Sequence, residues 1–137
     1  MAATLKLEIV TPEARTYSDD VEMVTLPGIE GEMGVYPQHA PLMTQLVSGE
    51  ITVRKNGQDT FLAVGDGFVE ITGDRVAVLT DMAMPLDQID EMKAEEARRK
   101  AEARLAEQLN DEDTAAVHAA LANSLAQLNV KRRRQHR

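Results

Sequence analysis

The hydrophobic pattern of this chain changes period once, near Pro85, and that limits it to a β-rich body followed by helices. Before Pro85 the apolar residues recur at every second position. Leu5, Leu7 and Ile9 alternate with Lys6 and Glu8, as in a strand with one buried face. Short runs of the same kind cover Val21–Leu26, Ile51–Arg54, Thr60–Val64, Phe68–Ile71 and Arg75–Thr80. Turn signals separate them: Thr11-Pro12, Pro27-Gly28, Ser48-Gly49, Asn56-Gly57, Gly65-Asp66-Gly67 and Gly73-Asp74. Asn56-Gly57 is the strongest, because both residues tolerate the positive φ of a type I′ hairpin. Strands divided by turns at this spacing predict an antiparallel sandwich or barrel.

Beyond Pro85 the period is 3.6. Asp87 is placed to cap a helix, and Ile89, Met92, Ala97, Ala101, Leu105 and Leu109 approximate one apolar face. Asn110–Asp113 interrupts the pattern and offers caps for a second helix, from Thr114 to about Val130. Its stripe is Val117, Leu121, Leu125 and Leu128, padded with alanine. So short a break predicts an antiparallel helical hairpin. The expected fold is therefore α+β, with an N-terminal antiparallel β-sandwich over residues 1–84 and a helical hairpin with a basic tail over 85–137. Alanine-lined faces bury little area, so the hairpin should dock weakly and reversibly.

Composition narrows the function. With no cysteine, disulfides, thiolate metal sites and a cysteine nucleophile are all excluded. His39, His118 and His136 lack the spacing of a helical metal site, and Ser18, Ser48 and Ser124 stand in no nucleophile elbow. Gly65-Asp66-Gly67 precedes a strand-like run, where a phosphate loop would precede a helix, and reads most simply as a hairpin turn. The carboxylates of the helical region pair at i, i+4, as in Glu95–Arg99 and Glu96–Lys100. No catalytic constellation, metal site or cofactor site emerges, and the chain reads as an interaction protein. Residues 1–84 hold 13 acidic side chains against 5 basic, a body that repels nucleic acid and anionic lipid. Four aromatics (Tyr17, Tyr36, Phe61 and Phe68) supply few base-stacking platforms. Only Lys131–Arg137 could attract a polyanion, and its simpler reading is a solvated terminus. No apolar run reaches the length of a membrane span, and Met1–Val10 lacks a leader's plan, so the expected place is the cytoplasmic side.

One stretch stands apart: Gly31-Glu32-Met33-Gly34-Val35-Tyr36-Pro37-Gln38-His39-Ala40-Pro41-Leu42-Met43-Thr44. Its glycines and prolines predict an extended, strongly shaped loop with an apolar surface, either a rigid crossover or a binding loop. The run closely resembles the Gly-Glu-(Leu/Met)-Gly-(Ile/Val)-x-Pro-x-His-Ala-Pro-Leu signature of the epsilon subunit of bacterial F-type ATP synthases. The resemblance extends from Leu7–Glu13 through Val21-Glu22 and Arg75–Asp81 to Glu95–Glu102. It implies a non-catalytic central-stalk rotor subunit that couples proton translocation to ATP synthesis, at the cytoplasmic face of a bacterial inner membrane. Its implied partners are the gamma subunit, the c-ring and the alpha–beta hexamer, with membrane contact only through the complex. The interface residues it implies are Gly31, Glu32, Met33, Gly34, Tyr36, His39, Pro41 and Leu42. The hairpin would fold on the sandwich or extend to inhibit ATP hydrolysis, carrying the regulatory tail Lys131, Arg132, Arg133 and Arg134 with it.

One departure bears on nucleotide. Members that sense ATP carry Ile-Asp-x-x-Arg-Ala at the first helix, with further arginines on the second. Here the motif is Ile89-Asp90-Glu91-Met92-Lys93-Ala94, and Asp113–Val130 contains no Lys or Arg. Lysine lacks the planar fork of arginine. With His118 the only candidate seen on the second helix, ATP binding is expected to be weak.

Overall fold

The computed structural model describes residues 3–13, 15–107 and 109–135. The strands are β1 (Leu5–Val10), β2 (Arg15–Val21), β3 (Met23–Gly28), β4 (Gly31–Val35), β5 (Leu42–Leu46), β6 (Gly49–Lys55), β7 (Gln58–Val64), β8 (Gly67–Thr72), β9 (Arg75–Thr80) and β10 (Ala83–Pro85). After a single 3-10 turn at Leu86–Gln88 come α1 (Glu91–Leu105) and α2 (Asp111–Gln135).

The strands follow one hydrogen-bonded path, β10-β7-β6-β3-β5-β8-β9-β1-β2, with β4 paired to β3. The path folds over so that Leu7, Ile9, Val24, Leu26, Ile51, Val53, Val69 and Val78 meet in one core. β2, one end of the path, comes back against β6, where Lys55 pairs with Asp19 and Glu22 N–H donates to the Arg54 carbonyl at 2.8 Å. The expected sandwich and hairpin are both present. One pairing departs from antiparallel: β1 lies parallel to β9. No tight turn can join parallel strands, so the long excursion from β2 to β8 makes that connection.

Asn56 and Gly57 take φ values of 54° and 74° and turn β6 into β7, as their sequence predicts. Gly65-Asp66-Gly67 makes no hairpin, because β7 pairs with β6 and β10 whereas β8 pairs with β5 and β9. It is a crossover between layers. Gly31–Thr44 is not one long loop either. β4 forms a hairpin with β3 around Ile29-Glu30, β5 begins at Leu42, and only residues 36–41 connect them. That connection is pinned where Gln38 N–H donates to Asp74 Oδ1 at 2.9 Å.

The helices also differ from expectation. Asp90, not Asp87, caps α1, with its carboxylate accepting from Lys93 N–H at 3.1 Å. Leu86–Gln88 needs the preceding turn because it seats Leu86 beside Ala63 and Val130. Ala94 and Ala101 are the buried face of α1, while Met92 is 84% exposed and Ala97 faces water. Asn110 caps α2 by accepting from Asp113 N–H at 2.7 Å, so the acidic run belongs to the helix. Glu95–Arg99 and Glu96–Lys100 both pair, at 3.7 and 3.2 Å. The largest correction is at the other end. α2 continues through Lys131–Arg134 to Gln135, so this basic segment is helical, with Arg134 13% exposed, where a solvated tail was expected. His136 and Arg137 lie outside the described residues.

Candidate functional site

The hairpin lies across β6, β7 and β10. Its apolar contact is small: Ile89 and Val130 meet Ala63, flanked by Phe61, Met82, Met84 and Leu86. At the crossover, Asn123 Nδ2 donates to Asp81 Oδ2 at 3.3 Å, directly over Gly65.

The strongest polar contact is made by the basic end of α2. Glu50, on β6 and paired across the ladder with Ala63, has a side chain only 9% exposed. Arg134 grips it with two nitrogens, Nε reaching Oε2 at 3.1 Å, and Arg133 Nη2 lies 2.8 Å from Oε1. The Arg134 guanidinium also sits 3.8 Å from the centre of the Phe61 ring. Burial of Glu50 opposes ionisation, but the hydrogen bonds from Arg134 and then Arg133 outweigh it and hold the carboxyl below its ordinary value. A lowered folded-state value means this contact is fully stabilising above the ordinary carboxylate range. It is lost as the pH falls through that lowered value.

Arg132 turns the other way and ties the helices together, with Nε at 2.8 Å from Glu91 and Nη2 at 3.0 Å from Glu95. Glu95 also pairs with Arg98, the first cause of its lowered pKa, and Arg98 reaches Glu102 at 2.9 Å. The positions Ile89, Asp90, Lys93 and Ala94 therefore have local duties. Ile89 packs on the sandwich, Asp90 caps α1 and Ala94 faces α2, which leaves Lys93 exposed. His118 points to solvent. The expectation that the second helix brings no arginine to this region is overturned, since Arg132 stands beside Glu91.

The sequence-predicted rim is split by the strands. Gly31, Glu32, Met33 and Gly34 lie on β4, which pairs with β3 alone, and Glu32 is exposed opposite Pro27. Tyr36, His39 and Pro41 belong to the connection, where His39 Nδ1 lies 2.7 Å from the Ala40 carbonyl, and Leu42 opens β5. Tyr36 and Leu42 are exposed, His39 half-buried. An open cleft of about 730 Å³ runs from Gly31 and Glu32 past Glu50 to Arg132 and Arg133.

A surface that sequence reasoning missed lies on the outer side of β5, β8 and β9. Gln45, Phe68 and Leu79 stand directly opposite one another in register, with Met43 one pleat along. Met43, Phe68 and Leu79 are each more than half exposed. The signal was available: Phe68 shares its face with Glu70, opposite the buried Val69 and Ile71.

Among the described residues no cluster could hold a metal ion, and no helix is long and apolar enough to cross a membrane. What the geometry defines is a β-sandwich with a helical hairpin docked on one side of it. Two family profiles match: the beta-sandwich domain of the ATP synthase delta/epsilon chain over residues 4–86, and the long alpha-helix domain of that chain over 87–132. The ATP synthase epsilon chain of Laribacter hongkongensis is 40% identical over 98% of this chain and 99% of its own. That of Dehalococcoides mccartyi is 43% identical over 98% and 97%. A chain in the cryo-EM structure of the Euglena gracilis mitochondrial ATP synthase OSCP/F1/c-ring superposes with a TM-score of 0.72 at 25% identity, covering 93% of this chain and 80% of that one. A chain of the Tetrahymena thermophila mitochondrial central stalk and c-ring gives 0.58 at 10% identity, covering 94% and 97%, a likeness of fold. The chain belongs to the ATP synthase delta/epsilon family, on the epsilon-chain side.

Proposed function

We propose that this chain is a non-catalytic rotor subunit of the central stalk, coupling proton translocation to ATP synthesis and restraining ATP hydrolysis through its hairpin. The observation that carries the proposal is that relatedness to epsilon chains runs through both parts, sandwich and helices, over 98% of the chain. Its place is then peripheral, at the cytoplasmic face of a bacterial inner membrane. The sandwich and the hairpin act as separable domains. The exposed band of Met43, Phe68 and Leu79 faces away from the hairpin and suits the gamma subunit, since such patches mark protein contacts. The acidic, glycine-flanked rim from Gly31 to Leu42 suits the polar loops of the c-ring. The helices, once released, suit the alpha–beta hexamer.

The test is a chain cut after Pro85, which retains β10 and so keeps β7 covered. Assembled with gamma and the hexamer, it should still co-purify with gamma, while ATP hydrolysis rises several-fold over the full-length assembly. Loss of gamma binding, or unchanged hydrolysis, would refute the assignment of roles to the two domains.

Glu32 gives a narrower expectation. Exposed on an edge strand, its carboxylate is free to meet a partner. Glu32→Lys should weaken proton-driven ATP synthesis by the assembled enzyme, yet change the isolated chain's stability by no more than about 0.5 kcal/mol. A large drop in the melting temperature of the isolated chain would instead make Glu32 a structural carboxylate.

A further inference from the structure

We propose that Glu50 is the latch of the hairpin: its hydrogen bonds with Arg133 and Arg134 set the ratio of docked to parted states. The inference rests on the reading above only in that the hairpin is taken to leave the sandwich.

Two other contacts hold the hairpin down. The apolar contact has three buried members, Ala63, Ile89 and Val130, edged by the half-buried Phe61, Met82, Met84 and Leu86, and the Asn123–Asp81 bond is a single exposed one. Neither involves a buried charge. Glu50 is different: a carboxylate nine-tenths covered, gripped by two guanidiniums from the far end of the chain, 83 and 84 residues away. It stands across the ladder from Ala63, so ion pair and apolar contact close the same corner. Arg134 is equally committed, 13% exposed and lying over Phe61. Charge-assisted, two-pronged bonds of this kind are stronger than neutral ones, and the cover that strengthens them also shields them from salt.

The chemistry also suits a contact that must open. Parting the hairpin returns Glu50, Arg133 and Arg134 to water, where each is well solvated. An apolar seal of equal strength would leave an adhesive face exposed. Desolvation of Glu50 and Arg134 offsets much of their attraction in the docked state, which keeps the two states close in free energy. Arg132 takes no part, because its partners Glu91 and Glu95 lie within the hairpin and travel with it. The basic end of α2 is thus divided: Arg132 binds helix to helix, and Arg133 and Arg134 bind helix to sandwich.

Because the chain has no cysteine, two engineered ones can be labelled cleanly. Spin labels introduced through Asp20→Cys and His118→Cys, both at exposed positions on opposite sides of the contact, report docking in the isolated full chain. Glu50→Gln should lower the docked-to-parted ratio about tenfold, as should Arg134→Gln. The two together should do no more than either alone, since each removes the same bond. Arg132→Gln should leave the ratio where it is. Val130→Asp, which buries a charge in the apolar contact, serves as the parting control, and far-UV circular dichroism verifies that each variant is folded. If Val130→Asp parts the hairpin while Glu50→Gln leaves the ratio unchanged, the latch is overturned and the reading of a releasable hairpin survives. If even Val130→Asp leaves the labels at the docked separation, the hairpin does not part, and both fail.

Discussion

Gly67→Ala should destabilise the sandwich by about 3 kcal/mol, lowering the melting temperature by on the order of 10 °C. A β-carbon at Gly67 would lie 1.8 Å from the Leu79 carbonyl oxygen and 2.9 Å from the Thr80 Cα. Both are backbone atoms of the strand paired with it, so no rotamer change relieves the clash. β8 must separate from β9 or the crossover from β7 must shift. Either opens the core at Val69 and Val78, which are fully buried and paired across that ladder. Gly65→Ala makes the comparison sharp, although its distances look as bad: 1.9 Å to Asp81 Oδ1 and 2.3 Å to Asn123 Oδ1. Those atoms are the ends of side chains and can swing aside. That substitution should sacrifice the Asn123–Asp81 bond and cost only about 1 kcal/mol. Thermal melts of the two variants beside wild type decide it. A Gly67→Ala chain melting with wild type would mean that β8 and β9 do not approach as described.

The same pair of glycines shows where the sequence stopped being informative. Gly65-Asp66-Gly67 reads as a hairpin turn because turn chemistry is local, and both a hairpin and a crossover need its flexibility. Which strand comes next is decided by pairing at long range, and nothing in a three-residue motif records it. Asn56-Gly57 was legible because both strands of its hairpin are adjacent in sequence, so local φ preference and global pairing coincide. β1, β6, β7, β8 and β9 were visible through alternation against one core. β4 was not, because only Met33 and Val35 alternate, and the glycines beside them read as loop. β10 has three residues, too few to show a period.

The site was legible in its residue types but not in its connections. The run from Gly31 to Leu42 announced itself through glycines and prolines at fixed offsets. The basic end of α2 was read from charge alone, and like charges in a row usually face water. What that reading lacked was the partner. Glu50 is an ordinary acidic residue at the start of a strand, and only the fold brings it to Arg133 and Arg134. Length misled too: ending the helix at Val130 removed the very turn that makes the contact. For the same reason the helix appeared to carry no arginine.

That correction changes the grounds of an expectation about ATP without reversing it. The isolated chain should bind ATP no more tightly than about 1 mM, near −4 kcal/mol. The region around Ile89–Ala94 is not poor in cations, since Lys93, Arg98 and Arg132 are all within the helical pair. The obstacle is that the arginines are already occupied. Arg132 is held by Glu91 and Glu95, Arg98 by Glu95 and Glu102, and Asp90 adds a further carboxylate beside them. A triphosphate would have to displace these carboxylates while approaching several negative charges. Exposed pairs are each worth only about 0–1 kcal/mol, so freeing one is cheap, but replacing one exposed pair by another gains little. Micromolar affinity would require roughly −8 kcal/mol, which Lys93 alone cannot supply. Lys93→Arg should therefore leave the affinity in the millimolar range. Glu91→Gln with Glu95→Gln, which releases Arg132 and loosens Arg98, should tighten ATP binding by about tenfold. Isothermal titration of the three chains separates the causes. A wild-type dissociation constant in the low micromolar range would overturn the expectation. A tight Lys93→Arg variant would show that the missing fork, and not the occupied arginines, is what limits binding.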